Sequence, residues 1–151
     1  MSTSRLEAFS DAVIAIIITL MAIELHKPQG GDIMSLQSIL PSVLAYSLSF
    51  IILGIYWNNH HHLLRAAKTM NSQIMWANLH LLFWLTLIPF FTSWVGEYYT
   101  AIFPAALYSA ELLFCAIAYY ILQLSIIKHQ GNDSTVKHRL GKDIKGKISP
   151  V

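Results

Sequence analysis

Few residues of this 151-residue chain could do chemistry, and most of them sit inside or beside long apolar runs. His60, His61 and His62 are consecutive. Imidazole ligates metals, but adjacent residues on a helix point in different directions, so three in a row seldom supply one metal site. The triplet is read as an interfacial segment, with His60 turned toward other polar groups, His61 and His62 partly solvated, and no metal held. Asp11, Glu24 and Glu111 are the only formal charges in or at the edge of the apolar runs. A carboxylate among apolar side chains is expensive unless paired. Arg5 is the obvious cation for Asp11, and His60, Asn78 and the indole N–H of Trp57 are available donors. Ser10 and Asp11 equally suit a helix N-terminus, where side-chain oxygens accept free amides and carboxylates are favoured. Both readings stay open, as does the role of Glu111.

Thr19 is the only polar side chain between Ala12 and Ala22. At about 100° per residue, Ile16, Thr19 and Ile23 fall on one helical face. If several chains associate, that face could form a polar ring; alternatively, Thr19 bonds its own backbone or packs at a helix contact. No nucleotide loop, catalytic triad or paired-carboxylate hydrolase pattern is present, so no catalytic residue, enzyme activity or cofactor is expected. Cys115 is the single cysteine, which excludes an intrachain disulfide.

Long helices must position these groups. The chain is 55% hydrophobic and 12% charged, with a mean hydropathy of +0.51. Soluble domains carry about twice that share of charge. Crossing roughly 30 Å of hydrocarbon takes about 20 helical residues. Four segments satisfy this: about Phe9 to Leu25, Leu36 to Trp57, Met75 to Val95 and Ile102 to Ile127. They are too long for the strands of a membrane barrel. The expected fold class is all-α, a polytopic transmembrane bundle of four spanning helices. Pro41 and Pro89 lie inside spans, where neighbours can satisfy the freed carbonyls. The N-terminal run lacks a cleavage pattern, so the first helix is expected to stay.

Basic residues in short loops mark the cytoplasmic side. Arg5, Arg65, Lys68, Lys128, Lys137, Arg139, Lys142, Lys145 and Lys147 share one side if the chain runs in–out–in–out–in; Lys27 alone falls opposite. Both termini are therefore expected in the cytoplasm, with a polar, basic tail at 128–151. The net charge of +2 is this bias and calls for no nucleic-acid partner. Tyr56 and Trp57 at one edge, and Tyr98 and Tyr99 at the other, suit the interfaces. In such an up-down bundle the ends bearing Arg5, Ser10 and Asp11, Trp57 and His60, and Asn78 meet in the cytoplasmic half.

The stretch Arg5-Leu6-Glu7-Ala8-Phe9-Ser10-Asp11, followed by Ala15-Ile16-Ile17-Ile18-Thr19, resembles the first-helix signature of the transmembrane protein 175 family. The similarity continues through Trp57-x-x-His60, His61, Asn78 and Pro89-Phe90. The resemblance implies a potassium-permeable channel in the inner membrane of a prokaryote, a homotetramer embedded in lipid, with potassium as the permeant ion. Residues 1–127 would be the channel domain. First helices would line the pore, with Ile16 at a hydrophobic constriction and Thr19 and Ile23 in the layers beyond. Arg5, Ser10, Asp11, Trp57, His60 and Asn78 would form a polar network fixing that helix against the second and third. No Gly-Tyr-Gly filter element is present, so selectivity would not come from rings of backbone carbonyls. Prokaryotic members have six helices, and this chain stops where a fifth would begin. A truncation, a shortened gene product and a true four-helix variant are all consistent with that.

One reading from another class is kept beside it: a membrane electron-transfer protein holding haem with His60, His61, His62 and His80.

Overall fold

A computed structural model describes residues 2–67 and 69–130. It contains α1 (Thr3–Ile23), α2 (Ser35–Ala66), α3 (Ser72–Leu85), α4 (Ile88–Glu97) and α5 (Ile102–Gln130), and no strand among the described residues. The helices α1, α2 and α5, and α3 with α4 taken together, are each long and apolar enough to cross a membrane. The fold class read from the sequence holds. The described residues reach Gln130, and the rest of the expected tail lies outside them.

Helix ends differ from the hydropathy reading, for three separate reasons. The first helix begins at Thr3, ahead of Phe9, because Arg5 and Glu7 ride on an exposed or half-buried first turn and a half that is helical without being apolar. Hydropathy located the lipid boundary there, and the helix passes through it. The 32 residues of α2 would span ~48 Å at about 1.5 Å each, well beyond the ~30 Å of hydrocarbon. The histidine triplet is therefore the projecting end of α2. The third span is broken at Thr86–Leu87, and Pro89 sits in the first turn of α4. Proline has no N–H and its ring crowds the carbonyl four residues back, so it ends one helix and suits the start of the next. Pro41, six residues into α2, leaves that helix continuous.

The core follows helical spacing. On α1 the buried residues are Leu6, Ser10, Ile14, Ile17 and Met21, a stripe three to four residues apart. They face α2, α3 and α4, while α5 packs on α3 and α4. Leu53, Leu63, Leu64, Ile74, Leu81, Leu85, Ile88, Leu122 and Ile126 complete the interior. Gly96 marks a close approach of α4 to α2, since a Cβ built there would lie 2.8 Å from Ser42 Cα. Asn71 caps α3 by accepting from the Ile74 amide at 2.9 Å, and its Nδ2 lies 3.0 Å from His129 Nδ1 at the end of α5. In the loop before α2, Asp32 accepts from the Ser35 hydroxyl and amide; these bonds, the hydroxyl's foremost, hold its carboxyl below the ordinary value.

Candidate pore face and polar network

Asn78 joins three helices. Its Nδ2 donates to Ser10 Oγ on α1 at 2.9 Å, and its Oδ1 lies 2.6 Å from His60 Nε2 on α2. A carbonyl oxygen only accepts, so the proton in the second bond belongs to His60 Nε2. Ser10 in turn donates to the Leu6 carbonyl at 2.8 Å. All three side chains are fully buried. A hydrogen bond contributes about 1 kcal/mol net, and stranding a buried partner costs about 1–3 kcal/mol, so the chain holds by mutual satisfaction. The helix-cap reading of Ser10 is excluded, because Ser10 lies well inside α1 and bonds backward to Leu6.

A second contact lies one residue round α1. Asp11 Oδ1 accepts from Trp57 Nε1 at 3.0 Å. The cation expected for Asp11 is not its partner. Arg5 is exposed and forms no ion pair among the described residues. Six residues at about 100° each put the two side chains roughly 120° apart round the helix, which keeps them from meeting. Glu7, one turn below Asp11, takes up the partner role instead, with Oε1 2.7 Å from His61 Nδ1 and 3.6 Å from Arg65 Nε. Of the triplet, His60 is buried, His61 half-buried and His62 exposed.

Opposite the buried stripe, α1 presents Ala12, Ala15, Ile16, Thr19 and Ile23, all exposed. Ile16 is 57% and Ile23 76% exposed, so this face is left largely open among the described residues. Thr19 donates to the Ile16 carbonyl at 2.8 Å. Its proton is thus committed to its own backbone, and its oxygen keeps lone pairs to offer outward.

Two buried pairings were not found from the sequence, although Glu111 itself stands out there. Ser49 Oγ lies 2.6 Å from Thr92 Oγ1 and 2.7 Å from Tyr108 OH, tying α2, α4 and α5 together. Glu111, 2% exposed, accepts from Cys115 Sγ at 2.9 Å. Isolated hydroxyls in apolar helices leave no spacing pattern, so only the fold pairs them. The haem reading fails on the histidines themselves. His60 Nε2 is bound to Asn78, and His80 Nε2 accepts from Trp84 Nε1 at 3.0 Å on its own helix.

A family model described as "Endosomal/lysosomal potassium channel TMEM175" matches residues 5–89. A potassium channel of Chryseobacterium sp. (strain P1-3) is 52% identical over 151 residues, all of this chain and 79% of that protein. A potassium channel of Chamaesiphon minutus is 40% identical over 126 residues, 77% of this chain and 61% of that protein. The crystal structure of a lysosomal potassium-selective channel TMEM175 homologue from Chamaesiphon minutus superposes with a TM-score of 0.78 at 33% identity, covering 92% of this chain and 80% of that one.

Proposed function

The chain belongs to the TMEM175 family of potassium channels, and from that membership we propose that four copies form a potassium-permeable pore lined by α1. The observation that carries this reading is the uncovered face of α1, where a single hydroxyl stands among small and branched apolar side chains. The buried stripe on the other side of α1 packs on α2, α3 and α4.

In the tetramer Ile16 forms the narrow constriction. A ring of branched side chains leaves too little room for a hydrated ion and can close by dewetting. Thr19 and Ile23 line the layers beyond, with the Thr19 oxygen available to a passing cation. Ser10, Asp11, Trp57, His60 and Asn78 hold the pore helix against α2 and α3. Arg5, which finds no partner within the described residues, acts at the contact between copies. The skewed basic residues support a chain that enters and leaves on the cytoplasmic side of a bacterial inner membrane. Potassium is the permeant ion, and residues up to Ile127 form the channel domain, with 128–151 as a cytoplasmic tail.

Purified protein in liposomes with a potassium gradient should support flux. Ile16→Asn wets the constriction and is expected to raise that flux or relax selectivity against sodium. Flux that is absent, or indifferent to both Ile16 and Thr19 substitutions, would overturn the assignment.

A further inference from the structure

Glu7, Asp11 and His61 each offer a ligand atom within 4.8 Å of the other two. Glu7 and Asp11 stand one turn apart on the same face of α1, and His61 reaches them from the projecting end of α2. From this juxtaposition we propose a binding site for a divalent transition metal ion of the zinc type, bridging α1 and α2.

Three observations support it beyond proximity. His61 Nδ1 is turned onto Glu7 Oε1 at 2.7 Å, so the ring nitrogen that would ligate already faces the cluster. A metal ion entering there would take the place of the proton between the two groups. Next, the imidazole is held in place, stacked on Trp57 with ring centroids 6.0 Å apart and 27° between planes. Trp57 also donates to Asp11 Oδ1, which orients that carboxylate and leaves its second oxygen unbound by the indole. Such partners outside the ligand set fix ligand geometry in metal sites generally.

The third is the fit of the donor set to the ion. One imidazole nitrogen and two carboxylate oxygens suit first-row divalent ions, and zinc takes three such ligands with a fourth position open to water. Bonds of ~2.0–2.1 Å set tetrahedral donors roughly 3.3 Å apart, so an ion would push His61 Nδ1 and Glu7 Oε1 slightly further apart than their 2.7 Å and draw on donors that all lie within 4.8 Å of one another. Two carboxylates balance the ion's charge. Arg65 approaches the same Glu7 oxygen at 3.6 Å, but its side chain is 69% exposed and free to swing aside. The histidine triplet thus contributes one ligand, with the other two coming from a different helix.

A bound ion would clamp α1 to α2 beside the Ser10–Asn78–His60 chain. Its effect on conduction rests on α1 lining the pore; the binding itself does not. Isothermal titration of Zn²⁺ into tag-free protein in detergent should give one saturable site per chain, with a rise in melting temperature. His61→Ala and Glu7→Gln should each weaken binding ~100-fold or more, since even partners outside a ligand set are worth about 10–100-fold. Glu7→Gln keeps the side chain's shape and so carries the test should His61→Ala fold poorly. His62→Ala should leave binding within about twofold. Absent saturable binding, binding unchanged in Glu7→Gln, or equal loss in His62→Ala would each overturn the site.

Discussion

Asn78 commits the two ends of one amide to two different helices, and its removal would take a bond from each. Asn78→Ala leaves His60 Nε2 without its partner, at about 1–3 kcal/mol for a buried group, and takes one bond from Ser10 Oγ, which keeps the Leu6 carbonyl. Ser10→Ala removes the acceptor of Asn78 Nδ2 but leaves the His60–Asn78 bond intact, so its loss should be smaller. Thermal melts in detergent check the order: Asn78→Ala lowest, Ser10→Ala between it and the parent. Equal melting in all three would mean the chain of bonds contributes nothing to stability. Arg5→Ala, at an exposed position with no ion pair among the described residues, should shift the stability of a single chain by no more than ~0.5 kcal/mol. At this scale the sequence exposed Ser10, Asp11, Trp57, His60 and Asn78, because polar side chains at the ends of apolar helices are conspicuous. It did not reveal who pairs with whom. Arg5 and Asp11 look like an ion pair until their angular separation round α1 is considered. Glu7 is a charge in a flanking turn until α2 is seen to extend past it.

Among the elements, α2 and α4 come close together at Ser42 and Gly96. A methyl group at Gly96 would meet Ser42 Cα at 2.8 Å and Ser42 Oγ at 3.1 Å, and the first of these is backbone. Gly96→Ala should therefore push the helices apart and lower stability by about 1–3 kcal/mol, the usual range for overpacking. Gly54, also helical, has nothing within 4 Å of its virtual Cβ. Gly54→Ala should be neutral or stabilising by up to ~1 kcal/mol, since alanine is the better helix former. Paired melts of the two variants test this directly, and an equal response would show that the close approach carries no energetic weight. Four spans were legible because each needs about 20 apolar residues, a signal hard to mistake. The ends of α1 and α2 were not, since a helix continues into water wherever hydrogen bonding allows. The break before α4 was half legible: Pro89 was visible, but a proline inside a span is compatible with either a kink or a new helix.

On the scale of the molecule, the unsatisfied feature is a whole helix face. Residues Ala12, Ala15, Ile16, Thr19 and Ile23 lie opposite the buried stripe of α1, exposed among the described residues. Lipid could cover such a face, and so could three more copies around an axis. Mass measurement in mild detergent should give four times the 17.0 kDa of one chain. The more direct measurement asks whether Thr19 touches water. Cys115 is the only cysteine and is fully buried, so Thr19→Cys introduces a single accessible thiol. Potassium flux from liposomes is recorded before and after a membrane-impermeant, positively charged thiol reagent is added from the side facing Ile23. Leu113→Cys, at a position 60% exposed on α5, serves as the lipid-facing comparison. If α1 lines the pore, the reagent should abolish flux through Thr19→Cys and leave flux through Leu113→Cys unchanged. Flux that persists through an unlabelled Thr19→Cys would place that face in lipid and contradict the pore assignment.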